Sequence, residues 1–360
     1  MATQYVYAIV PTGDEMTFEV SGLDSDMGRA RTLPQGDLAA VVASGAAGDA
    51  RGLAKEAVVR RLLAHERVVE EIMRFLPVLP VKFGTVLTEE ETVRRLLAQS
   101  QPLFCSAFDQ LRGRLQMEVV VLWDLQRVFQ EVRGEEPIAG LTAQIVARPP
   151  QDSRGERIAV GQMVQACLAR RRAELQARLL PAFRAVTPDL ATSPTMDDSV
   201  VLNVGLLLDD LGRAELDRRL ALLDEEFGGQ LTFRCVGPLP PYSFATVEVE
   251  TPSFDQVNRA RALLELGETA TADEVRQTFR RLATLAHPDV NRGDPDAGAR
   301  MAELNKAYRL LLAYAEHYAP RDGDGGSGQC AFTREAVERT LFVDIRRQVE
   351  AVETAVGLQS

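Results

Sequence analysis

The chain is 360 residues long, 46% hydrophobic and 26% charged, with a formal net charge of −11. That length predicts two or three folded units, and that apolar content excludes a disordered chain. The acidic balance argues against nucleic acid and against an electrostatic hold on anionic membranes, since both need a basic surface.

No apolar run is long enough to span a bilayer. Met1 leads into strand-like residues with no basic start and no cleavage site, so no signal peptide is expected. Cys105, Cys167, Cys235 and Cys330 are scattered singly, with no CxxC pair and no Cys/His cluster. This pattern predicts free thiols in a reducing cytosol, without a disulfide framework, a metal or a cofactor.

In chain order, Tyr5-Val6-Tyr7-Ala8-Ile9-Val10 and Leu38 to Ala43 read as strands. Arg51 to Phe75 reads as a helix with Val58, Leu62, Val69 and Ile72 on one face. His65, near that stripe, is expected to be a satisfied core residue. Val78 to Leu87 is strand-like. Thr88 followed by Glu91 predicts a capping box for the next helix, which turns Val93, Leu96 and Leu97 inward. Met117 to Trp123 is a further strand. Pro137 to Gly155 reads as a punctuated connection, and Ile158 to Val186 as helix with a kink or stop near Pro181. Arg170-Arg171-Arg172 reads as a solvated helix face. Val200 to Leu208 is a buried strand, and Leu211 to Phe227 a helix stopped by Gly228-Gly229. Asp197-Asp198 and Asp209-Asp210 read as turn or cap residues. Leu231 to Val236 is the next strand.

From about Phe254 to Tyr318 the chain reads as helical and self-contained. Arg321 to Gly328 is flexible by composition. Phe332 to Val356 reads as a last helix with Val337, Leu341, Ile345 and Val349 on one stripe. The predicted fold class is α+β: two α+β (ferredoxin-like) units with helices packed on antiparallel or mixed sheets, plus a helical hairpin and a C-terminal helix. The expected boundaries are 1–135, 136–250, 251–320, a linker at 321–330, and 331–360.

Within the helical region, Thr271 and Glu274 form a capping box. Val275, Phe279, Leu282, Ala283 and Ala286 line one face of the helix it opens, while Arg276, Arg280 and Arg281 lie on another. Pro288 biases His287 away from helix, so a turn is enforced at His287-Pro288-Asp289. Asp294-Pro295 supplies a cap and first-turn proline to the next helix, which turns Met301, Leu304, Ala307, Tyr308, Leu311 and Leu312 back. Leu264-Glu265-Leu266-Gly267, Phe279-Arg280-Arg281-Leu282-Ala283, His287-Pro288-Asp289 and Asn305-Lys306-Ala307-Tyr308 resemble the consecutive landmarks of the J-domain family. The resemblance implies that Arg276, Arg280, Arg281, His287, Pro288 and Asp289 engage a DnaK-type chaperone and stimulate its ATP hydrolysis. Val290 stands where J-domains often carry lysine, and Glu316-His317-Tyr318-Ala319-Pro320 replaces the usual basic fourth-helix ending.

Two further strings stand out: Val78-Leu79-Pro80-Val81-Lys82-Phe83-Gly84-Thr85-Val86 and Gly237-Pro238-Leu239-Pro240-Pro241-Tyr242-Ser243-Phe244. With the opening Tyr5 to Val10 strand, they are similar to landmarks of the GvpL/GvpF gas-vesicle family over about residues 4–248. Leu239 departs from the tryptophan common there. The resemblance implies a gas-vesicle assembly factor or minor structural protein that binds the hydrophobic major shell protein and other gas vesicle proteins, in the cytoplasm at the gas vesicle. It brings no catalytic residues. Lys82, Phe83, Gly84, Pro240, Pro241 and Tyr242 are the candidate shell-protein or packing residues. Lys82 is within reach of Glu66 or His65, or has its ammonium in water; Gly84 permits a bulge, a close approach or a plain turn. Pro240-Pro241-Tyr242 is a stiff extended segment that either offers an aromatic to a partner or packs across a domain seam.

No P-loop, GxGxxG, GxSxG or HExxH is present, and nothing positive points to an enzyme. The expectation is therefore gas-vesicle assembly, with chaperone recruitment through the J-like module. The alternative is a general J-domain co-chaperone with an unrelated client-binding domain.

Overall fold

The computed structural model describes residues 3–19, 29–45, 54–146, 154–195, 197–287, 290, 294, 296–318 and 328–348. In chain order they form β1 (Gln4–Val10), β2 (Arg31–Gln35), β3 (Leu38–Ser44), α1 (Lys55–Met73), β4 (Leu79–Pro80), β5 (Val86–Leu87), α2 (Glu90–Gln99) and α3 (Gln101–Leu111). Next come β6 (Leu115–Trp123), α4 (Leu125–Arg133), α5 (Ile138–Val146), α6 (Arg154–Arg184), β7 (Leu190–Thr192), β8 (Val200–Leu208), α7 (Asp210–Phe227) and β9 (Leu231–Leu239). The last are β10 (Thr246–Glu250), α8 (Phe254–Leu263), β11 (Thr269–Thr271), α9 (Ala272–Ala286), α10 (Ala297–His317), β12 (Gln329–Ala331), α11 (Arg334–Arg339) and β13 (Phe342–Arg346).

The described residues divide into two compact units, one within Met1–Asp109 and Thr246–Arg346, the other within Gln110–Ala245 and Arg347–Ser360. The expected boundary at 135 falls inside the second unit. The reason is β6, which pairs with β8 and β9 and so draws its neighbours into their sheet. The boundary expected at 250 lies close to the break between Ala245 and Thr246, while those expected at 320 and 330 fall inside the first unit, which the helices after 250 share with the N-terminal sheet.

In the first unit a five-stranded sheet runs β2-β3-β1-β4, with β5 also on β1. β1 is central and all seven of its residues are buried, as a nearly unbroken apolar run requires. Its pairings are antiparallel. β2 has a poor strand sequence, Arg-Thr-Leu-Pro-Gln, and is missed by periodicity. It forms because β3 pairs with it and because an edge strand tolerates Pro34.

α1 buries His65, Val68, Val69 and Ile72, an i, i+3, i+4, i+7 set. The expected face is half right: Val58 is only partly buried and Leu62 is exposed, because the helix packs through its C-terminal half alone. The expected Val78 to Leu87 strand is two short strands separated by a turn. Thr88 is not a cap. Leu87 is held by its pairing with Gln4, and the N-cap falls on Glu89, which makes no side-chain cap bond.

In the second unit an antiparallel sheet runs β7-β8-β6-β9. α4, α6 and α7 close one core over its inner face, including Val119, Val121, Phe183, Leu206 and Leu216. The region expected as a connection contains α5, an apolar helix, and α6 continues through Pro181. Residues 147–153 lie outside the described set. Asp209 caps α7 and Gly228, at φ 53°, ends it.

The C-terminal helix is shorter than expected. α11 has six residues, and Phe342 to Arg346 is a strand that pairs with β10. Val343-Asp344-Ile345-Arg346 reads equally as a two-residue alternation, and an available strand partner decides the matter. Val349 and the 321–327 part of the expected linker lie outside the described residues.

Candidate functional site

The helical module is built as its pattern predicts. Thr271 Oγ1 accepts from Glu274 N at 3.1 Å, while Glu274 Oε2 accepts from Thr271 N at 2.7 Å, a complete capping box. α9 and α10 pack together, with Phe279 and Tyr308 stacked at 4.1 Å and 14°. Leu304, Ala307 and Leu311 of α10 and Val275 of α9 are buried in the shared core. α9 ends at Ala286, and His287 turns to an extended backbone (φ −62°, ψ 134°) as a residue before proline must. Pro288, Asp289 and Pro295 lie outside the described residues. The N-cap of α10 is Asp296, not Asp294; the Asp294 carboxylate accepts from Asp296 N at 2.9 Å, forming a turn one step upstream.

On the outer face of α9, Arg280, Arg281 and His287 are exposed and Arg276 is half-buried. Two of the guanidiniums are locally matched: Arg281 lies 2.5 Å from Glu265, and Arg276 lies 2.8 Å from Asp273. Exposed pairs of this kind are weak, roughly 0–1 kcal/mol. Leu285 and Val290 add exposed apolar surface beside His287.

Lys82, Phe83 and Gly84 form a turn around a buried aromatic cluster. Gly84, at φ +88°, donates its N–H to Tyr5 Oη at 3.0 Å. Tyr5 Oη and His65 Nδ1 share a hydrogen bond at 2.9 Å. Tyr7 stacks on His65 at 5.5 Å, and Phe83 meets its edge at 5.8 Å. Burial pushes the His65 pKa down to about 4, opposed by a hydrogen bond to the Val81 backbone. His65 is thus a buried core residue, held through Nδ1 and packed among three aromatic rings. The ion pair of Lys82 is with Glu248, on β10, at 3.3 Å, where local sequence pointed to Glu66 or His65.

Pro240, Pro241 and Tyr242 do not form an exposed extended arm. Both prolines are buried and Tyr242 is half-buried. Tyr242 N–H donates to Pro240 O at 2.7 Å, and Ala245 N–H to Pro241 O at 2.8 Å, so the segment is a tight turn. Gln116 holds it, with Oε1 accepting from Ser243 N at 3.1 Å.

A cleft of about 270 Å³ in the second unit is lined by Trp123, Arg127, Glu131, Arg171, Glu174 and Arg178, among others. Its charges answer one another. Arg171 bridges Glu131 at 2.8 Å and Glu135 at 2.5 Å, and Arg178 meets Glu226 at 2.7 Å. The Arg171 hydrogen bond holds the Glu131 carboxyl below its usual range, the opposite of a carboxyl tuned as a general base. Arg172 lies over the Trp123 ring at 5.5 Å. The arginine run is therefore not merely a solvated face.

Residues 3–246 match the family model of the gas vesicle synthesis protein GvpL/GvpF. The chain belongs to that family. Residues 262–316 match the DnaJ domain model, so this is a gas vesicle-related protein with a J-domain.

Gas vesicle protein F of a Nostoc species is 24% identical over 247 residues, covering 68% of this chain and 98% of the relative. Chaperone protein DnaJ of Acetobacter pasteurianus is 40% identical over 77 residues, 20% of each chain. The crystal structure of gas vesicle protein GvpF from Anabaena sp. PCC7120 superposes with a TM-score of 0.51 at 23% identity, over 68% of this chain and 98% of that one, which supports the fold. Among the described residues no helix is long and apolar enough to cross a membrane.

Sequence reasoning missed the residues that join the GvpL/GvpF part to the J-domain. Glu248 holds both Lys82 and Arg346, each at 3.3 Å. Tyr314 Oη donates to Ala331 O at 2.5 Å, and Phe332 packs 5.5 Å from the Tyr314 ring. The available signal was the Val343 to Arg346 alternation, which fits a strand as well as a helix.

Proposed function

We propose that this protein is an assembly factor or minor component of gas vesicles that binds the hydrophobic major shell protein and recruits a DnaK-type chaperone through its J-domain. It works by offering surfaces to other polypeptides, with no bond-making chemistry of its own. One observation carries the chaperone part: within a unit shared with the GvpL/GvpF sheet, α9 presents Arg280, Arg281 and His287 to solvent. A cationic helix face steers toward an acidic partner, and the attraction weakens with salt. The shell-binding part is supported by the family match and by Val59, Leu62 and Leu63, exposed on the unpacked half of α1.

The test is His287→Gln in the full chain. Purified protein should lose its stimulation of a DnaK-type ATPase, and cells carrying it should make fewer vesicles. If vesicle yield and ATPase stimulation both stay at the parent level, the coupling is wrong. A second reading, a wall component with an inert J-domain, is favoured by the internal pairing of Arg276 and Arg281 and by Val290. Retention of the protein on washed vesicles, together with an unaltered yield in the His287→Gln strain, would select it.

A further inference from the structure

The J-domain is not hung from the chain by one end. The backbone leaves β10 at Glu250 and comes back as β13 at Phe342, and the two strands pair antiparallel from Thr246↔Arg346 to Glu250↔Phe342. The root of this ribbon is tied to the first sheet. Val81, just past β4, bridges Val247 in parallel, and Lys82 N–H donates to Val247 O at 2.9 Å. Lys82 Nζ and Arg346 both reach Glu248.

The returning segment also grips the module itself. β12 pairs with β11 through Thr269↔Ala331, Ala270↔Cys330 and Thr271↔Gln329. Cys330, Phe332 and Val337 are buried in the J-domain core, and α11 packs on α8. His317, at the end of α10, sets Nε2 3.1 Å from Val343 O. A module meant to swing would meet its neighbours across a solvated seam with few backbone pairings. Here both ends of the insertion are locked into β-structure, while the face bearing Arg280 and Arg281 stays open.

We propose that the segment Gln329–Arg346 is a mount, holding α9 in one orientation relative to the first sheet. A chaperone on α9 and a client on the first unit are thereby brought together in one geometry. What the two surfaces bind rests on the function proposed above; the fixed orientation does not. Preorganisation of this kind removes the entropy that a flexible tether loses when both sites engage.

The test uses the full chain with Cys105→Ser and Cys235→Ser, spin-labelled at Ala98→Cys on α2 and Gln277→Cys on α9. Pulsed electron–electron double resonance should give one narrow distance distribution. A broad distribution in this protein overturns the mount outright. A hinge variant, with Gly-Ser inserts after Thr251 and after Leu341, should broaden it. That variant should still stimulate the DnaK-type ATPase in trans, yet lower vesicle yield about tenfold or more. Undiminished vesicle yield despite a broadened distribution overturns the use of that one geometry in assembly, while the narrow distribution of the parent protein still upholds the fixed orientation. Absence of ATPase stimulation by the parent protein instead sinks the chaperone reading, and the distance distribution still decides the mount.

Discussion

On one side of the J-domain, Tyr314, Phe332, Val337 and Cys330 are buried and the chain is stitched by strand pairing; on the other, Arg280, Arg281 and His287 face water. The covered side is apolar and buried. The open side is charged, and its local ion pairs add little to stability. The difference separates what holds the module from what the module presents, so mutations on the two sides should have opposite signatures.

The largest effect is expected at Tyr314, whose ring is fully buried. Tyr314→Ala should destabilise the protein by about 3–5 kcal/mol in denaturant unfolding, as loss of a buried aromatic does. Arg280→Glu should shift stability by less than about 0.5 kcal/mol while removing chaperone stimulation. Equal stability losses at the two positions would erase the distinction.

The covered core of the first sheet extends the same contrast to pH. The folded pKa of His65 lies below its unfolded value, so the unfolded chain takes up the proton first as pH falls. Its contribution is therefore complete above the unfolded value of 6.5 and is lost as pH falls toward about 4. Between about pH 7.5 and 4.5 this amounts to about 2–3 kcal/mol. Unfolding curves of His65→Phe should lack that part of the pH slope; an unchanged slope would show that the ring is not held neutral.

A smaller effect is expected at Gly84, which sits at φ +88° with open space where a side-chain methyl would stand. Gly84→Ala should cost only the backbone term, about 1–2 kcal/mol, without loosening Lys82 from Glu248. The least effect belongs to the open side. Arg281→Ala breaks an exposed pair with Glu265 and should change the stability measured by denaturant unfolding by under about 0.5 kcal/mol.

Much of this architecture is legible without coordinates. β1, β3, β6 and β8 are apolar enough to announce themselves, and the Thr271–Glu274 box and Gly228 mark helix ends through local geometry alone. Local signals fail where two readings are equally good. Thr88 with Glu91 satisfies a capping pattern, but strand pairing at Leu87 moves the cap to Glu89. Lys82 has acidic and imidazole candidates one helix away, and finds Glu248 more than a hundred residues downstream.

By itself, then, the order of residues determined the two family signatures, the alternation of strands and helices, and the turn at His287, because each depends on neighbours within a helical turn or a strand repeat. Only the tertiary structure decided that Phe342 to Arg346 is a strand, that Pro240-Pro241-Tyr242 is a tight turn, and that the J-domain is flanked by paired strands at both ends. These depend on which strand edge is free and which buried polar group lacks a partner, and both are properties of distant segments brought together by folding.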